Sequence, residues 1–265
     1  MVGFSKGGPE WPSPLKEAGY DLDTIEARIA YQGGKINPDV IFASNSELHT
    51  LITECKSGTL SQDTIDEYEK VKSEDLRDVD VYDVSKLTHE TIYVGNSNIE
   101  ESLPHIDTNS AVLVLDDETL KIENAFQDAN LNGEFDDLNV SKIPTGYVPF
   151  LGDDSEALIA EKMVQEIMSR SISNPEDADL ELEIDDLLDD IHGAWGSLHP
   201  SEKKTLRNKA KNVLDMMEDR AFEDDIKKVA EADRRYYVST SNSFQKMCQS
   251  LIEDLSGSQQ RLSDL

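Results

Sequence analysis

Two patterns of apolar residues divide this chain. Through the first half they come in short, β-branched runs, and through the second they recur at helical spacing. Residues 36–43 (INPDVIFA) and 48–55 (LHTLITEC) are such runs, joined by the polar turn Ser44–Glu47. They predict two paired strands, the second ended by Ser57-Gly58. Upstream, residues 1–14 are rich in Gly and Pro and predict irregular chain. Residues 15–30 predict a short helix, alone or running into a strand near Arg28–Tyr31, and Gly33-Gly34 marks a turn. Downstream, Leu60, Ile65, Tyr68, Val71, Lys72 and Leu76 fall near one face of an amphipathic helix over 60–76. Strands follow at 90–95 and 111–116, the latter turning back into LKIENAF.

Beyond residue 150 the β-branched runs almost vanish. A helix is predicted over 155–171, N-capped by Ser155, with Leu158, Ile159, Met163, Val164 and Ile167 as its stripe. A second covers 183–192 and closes at Gly193. Pro200-Ser201 opens a third over 201–218, with Leu206, Ala210, Val213, Leu214 and Met217 inward. A fourth is expected over 222–237 and a last over 243–255, with the tail SGSQQRLSDL frayed. No repeat of 20–50 residues is visible. The expectation is an α/β fold, a mixed sheet flanked by helices over 1–150, followed by a mostly helical domain over 151–265.

Charge changes this picture more than size does. The 265 residues carry 55 Asp+Glu against 25 Lys+Arg, a formal net charge of −30 spread along the whole chain. Such acidity suits a solvation shell in multimolar salt, as in halophilic archaea, or a surface that mimics DNA or binds a basic partner. Its diffuseness favours the first. The two cysteines, Cys55 and Cys248, have no metal-ligand spacing and read as reduced thiols of an intracellular protein. No run approaches the roughly 18 apolar residues of a membrane span, and the N-terminus has no apolar core of a signal peptide. A cytoplasmic protein without membrane contact is expected.

The chemistry concentrates at Asp39, Glu54 and Lys56. Residues i and i+2 of a strand share a face, so Glu54 and Lys56 project together with Cys55 opposite, and the paired strand brings Asp39 beside them. Two carboxylates and an ammonium at a strand end can bind a divalent ion and activate water. Glu-x-Lys alone is common on solvated strands; here it follows Pro38-Asp39 and closes a largely apolar run. Pro38-Asp39 with Glu54-x-Lys56 resembles the signature of the PD-(D/E)xK nuclease superfamily, over roughly residues 15–120. That resemblance implies a restriction-endonuclease-like domain and hydrolysis of DNA phosphodiesters with Mg2+ or Mn2+. It assigns Asp39 and Glu54 as metal ligands and Lys56 to the water. It adds Glu26 or Glu17 as an upstream acidic residue and Gln62 as a polar residue on the following helix, with Tyr68 a turn and a half on. Members often dimerise, so a homodimer or partner subunit is implied. The alternative is a nuclease-fold scaffold without catalysis, its acidic surface binding a basic protein.

Other groupings carry less. Asp128–Asp136 matches a calcium loop at several positions but lacks the closing Glu, and reads as a polar turn between strands. Lys203, Lys204, Arg207, Lys209 and Lys211 form the densest basic cluster, on a helix whose predecessors permit a winged or helix-turn-helix reading in which Lys203, Lys204, Arg207 and Lys211 contact phosphates. An ordinary solvated helix would look the same. Arg234-Arg235-Tyr236-Tyr237 reads as a helix end packed on the core. The histidines show no partner spacing, and Trp11 and Trp195 read as packing anchors.

Overall fold

The computed structural model of the chain describes residues 1, 2, 5, 13–76, 86–116, 119–136, 138, 148–173, 180–221, 225–229 and 234–263. Most of the segment 1–14, Trp11 included, lies outside them. The chain divides into two compact units, Met1–Tyr147 with Ser197–His199, and Val148–Gly196 with Pro200–Leu265.

The first unit is built on a six-stranded mixed sheet. A short helix, α1 (Pro14–Glu17), leads into β1 (Asp21–Ile25). A small hairpin of β2 (Ile29–Tyr31) and β3 (Gly34–Ile36) follows, turning at Gly33 with φ 117. Then come β4 (Val40–Ser44), β5 (His49–Lys56), α2 (Gln62–Tyr68), β6 (Thr88–Gly95), β7 (Ala111–Asp116), β8 (Thr119–Asn124) and α3 (Ala129–Asp136). The strand order is β1-β4-β5-β6-β7-β8. β1, β4 and β5 are antiparallel neighbours. β5, β6 and β7 run parallel, and β8 returns antiparallel. Parallel neighbours need a crossover, which α2 and a 3-10 stretch, Ser97–His105, supply on the two sides of β6.

Every residue of β4 and the first six of β5 are buried, which is why their sequences read as continuous apolar runs. One core cluster joins Ile41, Ile52, Tyr93 and Val112 of the sheet to Ile65 and Tyr68 of α2. It fixes the register, because a slip of one residue would turn Ile52 out of this core and Thr53 into it. Of the predicted face of 60–76, Leu60, Ile65, Tyr68, Val71 and Leu76 are buried, while Lys72 is exposed. The helix itself is shorter. It stops at Tyr68, Lys72 is extended with its N–H on Asp75 (2.9 Å), and a 3-10 turn covers Ser73–Asp75.

The second unit holds α4 (Glu156–Ser173), β9 (Leu180–Glu183), α5 (Ile184–Ile191), α6 (Pro200–Arg220), β10 (Ile226–Lys228), β11 (Arg235–Val238) and α7 (Asn242–Ser263). Ser155 caps α4 by accepting the Leu158 N–H (3.1 Å). All five residues predicted inward on α6 are buried. The expected helix over 222–237 is absent: β10 and β11 stand there, in an antiparallel sheet of order β10-β11-β9. Strand geometry wins because Tyr236 and Val238 alternate with exposed neighbours, facing Leu182 and Leu180 of β9, while Arg235 pairs with Glu181 and Glu183. α7 also runs past the expected end at 255, through Ser263.

Candidate active site

β4 and β5 pair with Val40 opposite Thr53, so the residue before Val40 comes level with the residue after Thr53. Asp39 and Glu54 meet in this way. The Asp39 carboxylate accepts the backbone N–H of Cys55 (2.5 Å), which anchors it between Glu54 and Lys56. Glu54 is 6% exposed. Its Oε1 holds the Lys56 ammonium at 2.7 Å, and its Oε2 accepts the hydroxyl of Tyr68 from α2. Tyr68 packs edge-on against Tyr93, the β6 partner of Glu54, at 5.9 Å between ring centres. Lys56 is 45% exposed and faces solvent at the end of its strand.

The charges are unequal. Burial raises the Asp39 carboxyl above its usual range, and the neighbouring Glu54 charge adds to this, against the Cys55 N–H and Lys56. The hydrogen bond to Glu54 raises the Lys56 ammonium, keeping it charged. Burial and the Glu54 charge push the Tyr68 phenol up, so it remains a donor. The two carboxylates thus meet the Lys56 ammonium, and the Met1 amino group also acts on Asp39, although burial disfavours its charged form.

Of the other residues implied for this site, Glu26 comes close through the main chain. It stands in the bend after β1, not on a helix, with φ 54, and its N–H donates to the Asp39 carbonyl (2.9 Å). Glu17 ends the four-residue α1. Gln62 does not join the carboxylates: it is exposed on the first turn of α2 and donates to Asp66 (2.6 Å). Tyr68 makes the contact instead. Among the described residues no group of three or more His, Cys, Asp or Glu has the arrangement of a metal cage.

A second polar cluster lies at the other end of β5, on its other face, and nothing in the spacing of the sequence announces it. The Tyr20 hydroxyl sits between His49 Nδ1 (2.7 Å) and Asp128 Oδ2 (3.0 Å). These three line a hollow of about 360 Å³ with Glu47, Thr88 and Gln127. Asp128 opens no calcium loop and no turn between strands. It caps helix α3, its Oδ1 accepting the Asn130 N–H (2.8 Å). Burial lowers the His49 imidazole. Nearby on β6, Glu90 is 1% exposed and accepts the Gln127 N–H, and burial lifts its carboxyl to about 7.

The predicted basic residues all lie on α6, but they separate. Lys203 turns to Trp195, with its ammonium on the Gly196 carbonyl (2.8 Å). Lys204, Arg207 and Lys211 line a different hollow, joined there by Arg234. Trp195 is buried, as a packing anchor should be.

No helix among the described residues is long and apolar enough to cross a membrane. The MJECL32 domain family matches residues 1–148. A domain of unknown function, DUF8601, matches residues 153–263. No curated protein matches the chain, and no solved structure does.

Proposed function

The chain belongs to the MJECL32 domain family, and we propose that it is a divalent-metal-dependent nuclease acting on DNA phosphodiesters. One observation carries this reading. Asp39, held by the Cys55 N–H, stands beside Glu54 with Lys56 on the same strand end. The resemblance to the PD-(D/E)xK superfamily assigns those three residues the same roles.

The donor set fits Mg2+ or Mn2+. Mg2+ takes hard oxygen ligands and usually only one or two protein carboxylates. Asp39 and Glu54 supply these, and each carboxylate oxygen keeps a second acceptor site beyond the bonds described. The raised Asp39 carboxyl, pushed further by Glu54, is the kind of repulsion that a bound cation relieves. The ion, when bound, would supply a water of lowered pKa and neutralise phosphate charge. Lys56 stays protonated on Glu54, so it orients water and stabilises developing negative charge instead of accepting a proton. Tyr68 fixes the Glu54 carboxylate from the helix side. A net charge of −30 repels DNA, and molar salt shortens the Debye length to about 3 Å. Recognition then rests on short-range contacts or on a partner subunit.

The test uses the full chain in molar KCl with Mg2+ or Mn2+ on linear, nicked, branched and single-stranded DNA. Cleavage of at least one is expected, falling roughly 100-fold or more in Asp39→Ala or Lys56→Ala. No cleavage of any substrate, or full cleavage by the Asp39→Ala/Lys56→Ala double variant, overturns the proposal. The rival reading, a scaffold binding a basic protein, draws on the charge of −30 alone. It gains if Mg2+ binding does not need Asp39 and Glu54 while basic proteins bind tightly at low salt.

A further inference from the structure

The second unit contains a hollow whose sign opposes that of the chain. About 350 Å³ in volume, it is walled by Lys204, Arg207, Lys211 and Arg234, with Asn208 and an apolar side from Ile184 and Pro200. Among the described residues no carboxylate lines it, although Asp+Glu outnumber Lys+Arg by 55 to 25 in the chain. Four of those 25 cations converge on one concavity.

Their placement is built. Asp185 of α5 lies behind two of them, Oδ1 accepting Arg207 Nε (2.5 Å) and Oδ2 accepting Arg234 Nη1 (3.2 Å). One carboxylate thereby sets two guanidinium groups from separate elements side by side. Arg207 is further fixed over the Trp195 ring at 5.4 Å. Each guanidinium has five N–H donors in a fixed fork, and the bonds to Asp185 use one from each. Lys211 holds Asp215 at 3.3 Å, and Lys204 is exposed at the rim. Among the described residues the lining carries four cations, which suits a phosphate group of about −1.5 to −2. Guanidinium forks match phosphate oxygens bidentately, and the volume lies in the range of small-molecule sites, roughly 300–1,000 Å³. It leaves room for a sugar beside the phosphate, which the apolar side could receive.

We propose that this hollow binds the phosphate of a nucleotide, free or at the end of a nucleic-acid strand. The inference stands apart from the reading at Asp39, because it uses other residues in the other unit and needs no metal.

Calorimetric titration of the full chain in EDTA at low, fixed ionic strength tests it. The probes are a nucleoside monophosphate and a 5′-phosphorylated single-stranded oligodeoxynucleotide. Saturable one-site binding of the monophosphate is expected, at least about tenfold weaker in Lys204→Ala/Arg234→Ala. Both side chains are solvent-accessible, and circular dichroism checks that the fold is kept. Arg207→Lys keeps the charge but loses the fork and should also weaken binding, while Asp39→Ala should not. Binding of the monophosphate alone identifies a free nucleotide as the source, and binding of both probes a strand end. No saturable binding of either probe, binding of the oligonucleotide alone, or equal affinity in the double variant overturns the proposal. So does loss of binding in Asp39→Ala.

Discussion

The two ends of β5 carry similar groups with different consequences. At each end a tyrosine hydroxyl meets a carboxylate, Tyr20 on Asp128 and Tyr68 on Glu54. Asp128 also caps α3, where the Asn130 N–H answers its charge, and Tyr20 links it to His49. That end is polar but electrically settled. At the other end Asp39 and Glu54 meet Lys56 and, at Asp39, a Met1 amino group whose charge burial disfavours, so negative charge is incompletely answered where the strand opens to solvent. The same residue types build structure when each charge has its own partner, and a cation-seeking site when the carboxylates are incompletely answered.

The largest expected effect sharpens what is meant by settled, because Glu90 is the exception at the His49 end. Burial lifts its carboxyl from the ordinary glutamate range to about 7 in the folded protein. The folded state therefore holds this proton more tightly than the unfolded chain. Stability contributed here is full below the unfolded value and is lost as pH rises through about 7, by up to about 3 kcal/mol. Glu90→Gln should remove that slope. Urea unfolding of both proteins at pH 5 and pH 8 measures it, and equal slopes would show that Glu90 is not buried as a neutral acid.

Tyr20→Phe should break the link between Asp128 and His49 and leave the open end intact. Asp128 and His49 lose a partner inside the fold, which costs roughly 1–3 kcal/mol. Thermal melts should register this, while any metal-dependent cleavage stays within about twofold of the parent, since nothing at Asp39 or Glu54 has changed. A loss of cleavage matching that of Asp39→Ala would mean that the two ends do not act separately.

How much of this was legible in the sequence depended on the length of each pattern. β4 and β5 were readable because eight-residue apolar runs met at a polar turn, and their pairing put Asp39 beside Glu54 without any knowledge of the rest. The stripe from Leu60 to Leu76 was also real, but a short helix followed by extended chain and a 3-10 turn buries the same residues as one long helix. β9 and β11 escaped because LELE and RYYV alternate over only four residues, with charges on the outward positions. α3 was hidden by Asn130, Asn132 and Gly133, which suggest a turn. The signal that outweighed them was Leu131 and Phe135, four apart and both buried. Gln62 was preferred to Tyr68 for its polarity. Tyr68 prevails because a phenol can fill the core and still reach Glu54, which a short amide on the exposed first turn cannot. The Tyr20, His49 and Asp128 cluster joins residues up to 108 positions apart and left no local trace.

Tyr68→Phe is the smallest change and tests the open end most closely. The ring and its packing on Tyr93 remain, so only the hydrogen bond to Glu54 is removed, at roughly 1 kcal/mol of stability. Glu54 is then held in place by Lys56 alone. A metal ligand less firmly placed should slow cleavage in Tyr68→Phe roughly fivefold, the rate equivalent of about 1 kcal/mol. Cleavage by Tyr20→Phe, whose hydroxyl serves the opposite end, should stay within about twofold of the parent. Single-turnover rates of the two variants at saturating Mg2+ make the comparison direct. An unchanged rate in Tyr68→Phe would mean that cleavage does not depend on the Tyr68 hydroxyl that holds Glu54.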